Sequence, residues 1–128
     1  NDTRDALSRL EVMVGLGAPG LPIWIIRRQI ASAIHMMVHV SRLVGGRRKV
    51  TRVSEVVGIE GDEIRARDVF VFTQTGLGAD GAAEGTFSAT GERPWCLARL
   101  AASGAGLPDD LFEPRVLPCE PDRTAEAL

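Results

Sequence analysis

Apolar residues recur along the first third of the chain at helical spacing, and then the period changes. Leu7, Leu10 and Val14 follow one another at steps of three and four, with Met13 beside them, while Arg4, Asp5, Ser8 and Glu11 take the other side. This predicts a first helix. Asn1, Asp2 or Thr3 is placed to cap its free amides, and Asp5 suits its positive end. "GLGAPGLP" ends that helix, and Pro22 suits the start of a second, "PIWIIRRQIASAIH". Its apolar stripe is Ile23, Ile26, Ile30 and Ile34, widened by Ile25 and Ala33, with Arg27, Arg28 and Ser32 turned away.

Around His35 the period shortens to two. "MMVHVSRLV" predicts a strand from Met36 or Met37 to Val44, "GGRRK" a turn, and "KVTRVSEVVGIE" a second strand. "GDE" is a tight turn, and "IRARDVFVFTQ" predicts a third strand, alternating Ile64, Ala66, Asp68, Phe70 and Phe72 against arginines. The expected fold is α+β, with two helices covering one face of an antiparallel β-meander and Ile26, Ile30, Val38, Val40, Val53 and Phe70 in the core. This unit spans 1–74. Residues 75–85, rich in Gly and Ala, predict a flexible insertion. Over 86–113 come a short strand ("TFSATG"), a helix ("RPWCLARLAASG", with Pro94 in its first turn) and a brief helical turn ("LPDDLF"). Residues 114–128 are expected to fray.

At 128 residues and a net charge of −2, the chain is one domain or part of one, with no global basic field to argue for nucleic acid. Cys96 and Cys119 are too few for a disulfide scaffold or a metal framework, which favours a reducing compartment. No apolar run is long enough to span a bilayer. Of the 15 basic residues only Lys49 is not arginine, and Arg42, Arg47, Arg48, Lys49 and Arg52 crowd one hairpin. These five are the candidate interaction residues, set against the simpler reading of a solvated turn. Arg42 and Arg52 are expected to face each other across the strands, with Glu55 and Glu60 relieving the repulsion.

No catalytic constellation is assembled from these residues. "GLGADG" (Gly76, Gly78, Gly81) fits GxGxxG, but a loop and strand follow it where the fingerprint needs a helix to receive pyrophosphate. There is no Walker A sequence. His35 and His39 are four apart, yet Met36 stands where a zinc-binding HExxH needs Glu, and no third ligand is evident, so both read as structural. The expectation is therefore no catalytic, cofactor-binding or metal-binding residue within the chain.

Several stretches, in order, resemble a known family. "DALSRLEVMVGL", "LPIWIIRRQIASAIHMMVHVSRL", "GGRRKVTRVSEVVGIEGDEI", "DVFVF", "GTFSATGERPWCLARLAASG" and "LPDDLF" are similar to the end of the motor domain in type II/type IV secretion and pilus-assembly ATPases. The likeness is greatest to the CpaF/TadA-like branch that drives tight-adherence (Flp) pili. It covers nearly the whole chain except the glycine-rich insertion. In that family a histidine box ending in "HAN" runs into "DALxRLE", so Asn1 resembles the last residue of the box. The resemblance implies a C-terminal subdomain of a RecA-like P-loop ATPase, with Walker A, Walker B and the histidine box lying upstream. The implied parent is a cytoplasmic homo-hexamer that uses ATP and Mg²⁺ and sits against an inner-membrane platform protein. The fragment itself would couple nucleotide state to subunit or platform contacts, packed on the rest of the motor, without chemistry of its own. The alternative is an independent, non-enzymatic α+β binding module that uses the Arg-rich hairpin.

Overall fold

The computed structural model describes residues 2–118. Two helices, α1 (Thr3–Gly17) and α2 (Ile23–Ala33), precede four strands, β1 (Met36–Arg42), β2 (Arg48–Glu60), β3 (Glu63–Leu77) and β4 (Ala83–Ala89). A short helix α3 (Cys96–Ala102), a 3₁₀ turn (Asp109–Phe112) and a two-residue strand β5 (Arg115–Val116) follow. The fold is α+β, with one antiparallel sheet in the order β1-β2-β3-β4-β5.

Asp2 caps α1, accepting the Asp5 amide at 2.9 Å, and that bond holds its carboxyl below the usual carboxylate range. Leu7 of α1 and Ile26 and Ile30 of α2 are buried against each other and against Met37, Ile64 and Ala66 of the sheet. Each such side chain contributes about 1.5–3 kcal/mol by leaving water. The two helices thus cover one face, as the sequence predicts.

The other face departs from expectation. Met37 points at the helices, so strand alternation sends Val38 and Val40 the opposite way, where they are 59% and 61% exposed. Both were expected in the core. Val53 and Phe70, also expected there, are half-buried on that same outer face, with Phe70 packed on Phe87 and Phe112 at centroid distances of 5.8 and 5.7 Å. The 3₁₀ turn carrying Phe112 therefore covers β3 and β4, leaving the valines of β1 uncovered.

The single alternation predicted for β3 is split by a bulge. Asp68 pairs with Ser54 and Phe70 with Val53, so Val69 is an extra residue and is 1% exposed. One inserted residue reverses the facing of everything beyond it. Ile64, Ala66 and Asp68 consequently serve the helix side, and Phe70 and Phe72 the other.

Residues 75–85 do not form the expected insertion. β3 and β4 stay paired through Gly76 with Glu84 and Leu77 with Ala83, and only 78–82 turn. Gly85 is required there, because a Cβ would collide with the Thr73 carbonyl and the Phe72 ring. The expected frayed tail also begins within the sheet, since Ser88 and Ala89 pair with Val116 and Arg115. Cys119 and the rest of that tail lie outside the described residues.

Candidate functional site

The first turn of α1 is fastened to the sheet by a run of polar side chains. Thr3 is buried, and its Oγ1 lies 2.7 Å from Ser54 Oγ and 3.2 Å from His39 Nε2. Ser54, 0% exposed, donates to Asp68 Oδ1 at 2.8 Å. That bond commits the only proton Ser54 owns, which fixes the direction of the rest. Thr3 donates to Ser54, and His39, carrying its proton on Nε2, donates to Thr3. Arg52 Nη1 donates to Asp68 Oδ2 and closes the far end. Such a chain polarises each bond in the same sense, and each member is costly to leave unpaired.

Register explains the assembly. Met37 pairs with Ser54, His39 with Arg52, and Ser54 with Asp68, so three strands present these groups to the helix side at one level. Beside them opens a cleft of about 220 Å³ bounded by Thr3, Arg4, Leu7, Arg52, Glu63 and Asp68. Arg4 pairs with Glu63 at 2.7 Å at its rim. The arrangement suits mechanical attachment. Ser54 is no nucleophile, being sealed from solvent and hydrogen-bonded to a carboxylate instead of to the imidazole.

The five candidate residues of the hairpin do not share one place on the sheet. Arg52 belongs to the joint under α1 and lies opposite His39, while Arg42 lies opposite Arg48. An extra residue in β2, Thr51, falls between the His39 and Val40 pairings and sets that register. Neither expected acid relieves the hairpin: Glu55 pairs with Arg67 and Glu60 with Arg65. Lys49 Nζ sits 5.6 Å from the Phe72 ring centroid. Arg47 lies in the turn, where its carbonyl accepts the Leu43 amide at 2.8 Å. This leaves Arg42 and Arg48, exposed and directly opposed, their side chains with no hydrogen-bond or ion-pair partner among the described residues.

The hairpin is held in place by its neighbour. The Ala83 amide donates to the Val44 carbonyl at 2.8 Å, and Gly45 (φ 93°) approaches Ala82 so closely that a Cβ would lie 2.6 Å from the Ala82 methyl. The two hairpin tips thereby form one composite edge.

A third cluster went unanticipated in the sequence. Glu55, 4% exposed, accepts the Trp95 amide at 2.7 Å and pairs with Arg67 Nη2 at 3.3 Å. Arg67 stacks on the Trp95 ring at 5.1 Å, reaches Glu92 at 3.2 Å and donates to the Arg93 carbonyl at 2.9 Å. It pins the segment before α3 to the sheet. A Glu and an Arg at facing strand positions would have been the only signal, and many such pairs are solvated.

The glycine-rich turn does not fit a phosphate. The Gly78 amide donates to Ala82 and the Gly81 amide to Gly78, so these donors are used within the turn, and strand β4 follows where a helix is needed. His35 and His39 are not brought together with further ligands, and no group of three or more His, Cys, Asp or Glu placed to hold a metal occurs among the described residues. Nor, among the described residues, is any helix long and apolar enough to cross a membrane.

No protein-family profile matches this chain, and no curated protein shows significant similarity to it.

Proposed function

We propose that the chain is the C-terminal subdomain of a RecA-like ATPase motor that powers protein secretion or pilus assembly, closest to the tight-adherence pilus branch, and that it carries coupling instead of chemistry. The observation behind this reading is the ordered run of resembling stretches, from "DALSRLEVMVGL" through "GGRRKVTRVSEVVGIEGDEI" to "LPDDLF". Two structural features support it. The residue that follows the "HAN"-like Asn1 opens α1, and Thr3 at once ties that helix to β1 and β2, as a part that transmits displacement requires. Met13, Leu16, Leu21 and Trp24 are exposed near the junction of α1 and α2, an apolar surface suited to packing on a larger protein body. In this reading ATP and Mg²⁺ are held by the rest of the motor, the working assembly is a homo-hexamer, and its cytoplasmic ring meets an inner-membrane platform protein. Among the described residues no group forms a phosphate cradle, and no step of hydrolysis is assigned to them.

The test is the complete gene product. A GxxxxGK[ST] loop is expected roughly 90 to 130 residues before Asn1. The purified product should release phosphate from ATP in a Mg²⁺-dependent way, and the 128-residue chain should not. A complete product lacking the loop, or hydrolysis by the chain itself abolished by a substitution within it, overturns the proposal.

A further inference from the structure

On the sheet face turned away from the helices, one end of β1 and β2 is an uncovered surface of definite chemistry. Met36, Val38, Val40 and Arg42 alternate onto this face, and the register sets Val50 beside Val40 and Arg48 beside Arg42. Val38, Val40 and Val50 are all exposed, and the two arginines stand at the end of their row. Like charges directly opposite on paired strands are destabilising, and here no acid among the described residues relieves them. Two exposed arginines at facing register positions on the rim of an apolar strip fit a partner that brings carboxylates next to an aliphatic side chain.

The same chain carries such a segment. In "GLPDD" Leu107 is 45% exposed, and the carboxylates of Asp109 and Asp110 are exposed with no partner among the described residues. Within one molecule this segment is held elsewhere, over β3, by Phe112 on Phe70 and by Arg93 Nη1 donating to the Asp109 carbonyl at 3.1 Å. Its acids thus project from a fixed platform. They are available to a neighbour.

We propose that the outer face of β1 and β2 docks a second copy of this chain, taking that copy's Asp109 and Asp110 between Arg42 and Arg48 and its Leu107 over Val38 and Val40. The contact deepens the motor reading and rests on it for the presence of neighbouring copies. Its test reads association instead of hydrolysis, so the two readings fail separately.

Sedimentation equilibrium of the 128-residue chain over a concentration series, at low and high salt, should show self-association that weakens as salt rises. R42E/R48E and D109K/D110K should each weaken it at least tenfold while circular dichroism stays unchanged. A chain carrying all four substitutions restores opposite charges across the contact and should recover association to within about threefold. A wild-type chain that stays monomeric at low salt throughout the series overturns the proposal. So does unchanged association in D109K/D110K, or a four-fold variant as weak as its parents. Should either pair disturb folding, R42Q/R48Q and D109N/D110N remove the charges without reversing them, and wild-type association in either pair is equally fatal.

Discussion

Arg52 and Arg48 stand four residues apart on one strand and have opposite fates. Arg52 faces the helices, where Asp68 takes its charge and Ser54, Thr3 and His39 extend the network to α1. Arg48 faces Arg42 on the outer side and meets no acid among the described residues. The extra residue at Thr51 and the half-covered sheet separate them, not their chemistry. A charge cluster in sequence is therefore not a charge cluster in space. One arginine of this hairpin fastens an element, and another is left facing a like charge.

If the fastened side holds the fold and the facing pair does not, substitutions should sort accordingly. The largest effect is expected at Glu55, whose loss strands the Trp95 amide and the inner side of Arg67. Glu55→Ala should lower unfolding stability by about 2–3 kcal/mol in urea titration. Thr3→Val keeps the shape of the joint but removes the hydroxyl between His39 and Ser54, and should cost about 1–2 kcal/mol by the same measurement. A loss below a few tenths there would mean that Thr3 contributes little to holding α1.

Much of this contrast was out of reach of the sequence for a definable reason. Helix positions were legible because Leu7, Ile26 and Ile30 repeat at a period that only a helix turns to one side. Strand positions were legible too, but not which face each residue took. Bulges at Thr51, Val57 and Val69 each reverse that facing, and of the three only the one at Val57 has a mark in the sequence, the in-strand Gly58 (φ 130°) beside it. The misses on β1 have another cause, since that strand alternates without interruption: its valines were expected inside as its apolar side, but the helices cover the side of Met37. Arg42 was expected opposite Arg52, and the ladder sets it opposite Arg48. The glycines of "GLGADG" suggested an insertion because a turn and a loop share a composition. The pairing of Leu77 with Ala83 is visible only once the strands are placed.

At the outer pair the expected change is small and of opposite sign. Arg48→Glu places unlike charges across the strands and should raise stability by about 0.3–0.5 kcal/mol at low salt, fading at high salt. A loss of stability would show that Arg48 already has a favourable role in the single chain. The smallest effect concerns Asp2. Its lowered carboxyl contributes stability that is complete above the ordinary carboxylate pKa and is lost as pH falls through the lowered value. Asp2→Asn keeps the cap without the titration, so its melting temperature should fall less than that of the wild type as pH is lowered through and below the ordinary carboxylate range. Parallel profiles would remove Asp2 from the account.

The most direct test of coupling is amide hydrogen exchange on the complete gene product, with and without a non-hydrolysable ATP analogue. Residues 3–7 of α1 and 51–56 of β2 should change protection together when nucleotide binds, because Thr3 joins them. In Thr3→Val the change should reach α1 and stop short of β2. Protection in both segments that ignores nucleotide, or a joint change that survives the loss of the Thr3 hydroxyl, would contradict the claim that this chain transmits nucleotide state through the joint beneath α1.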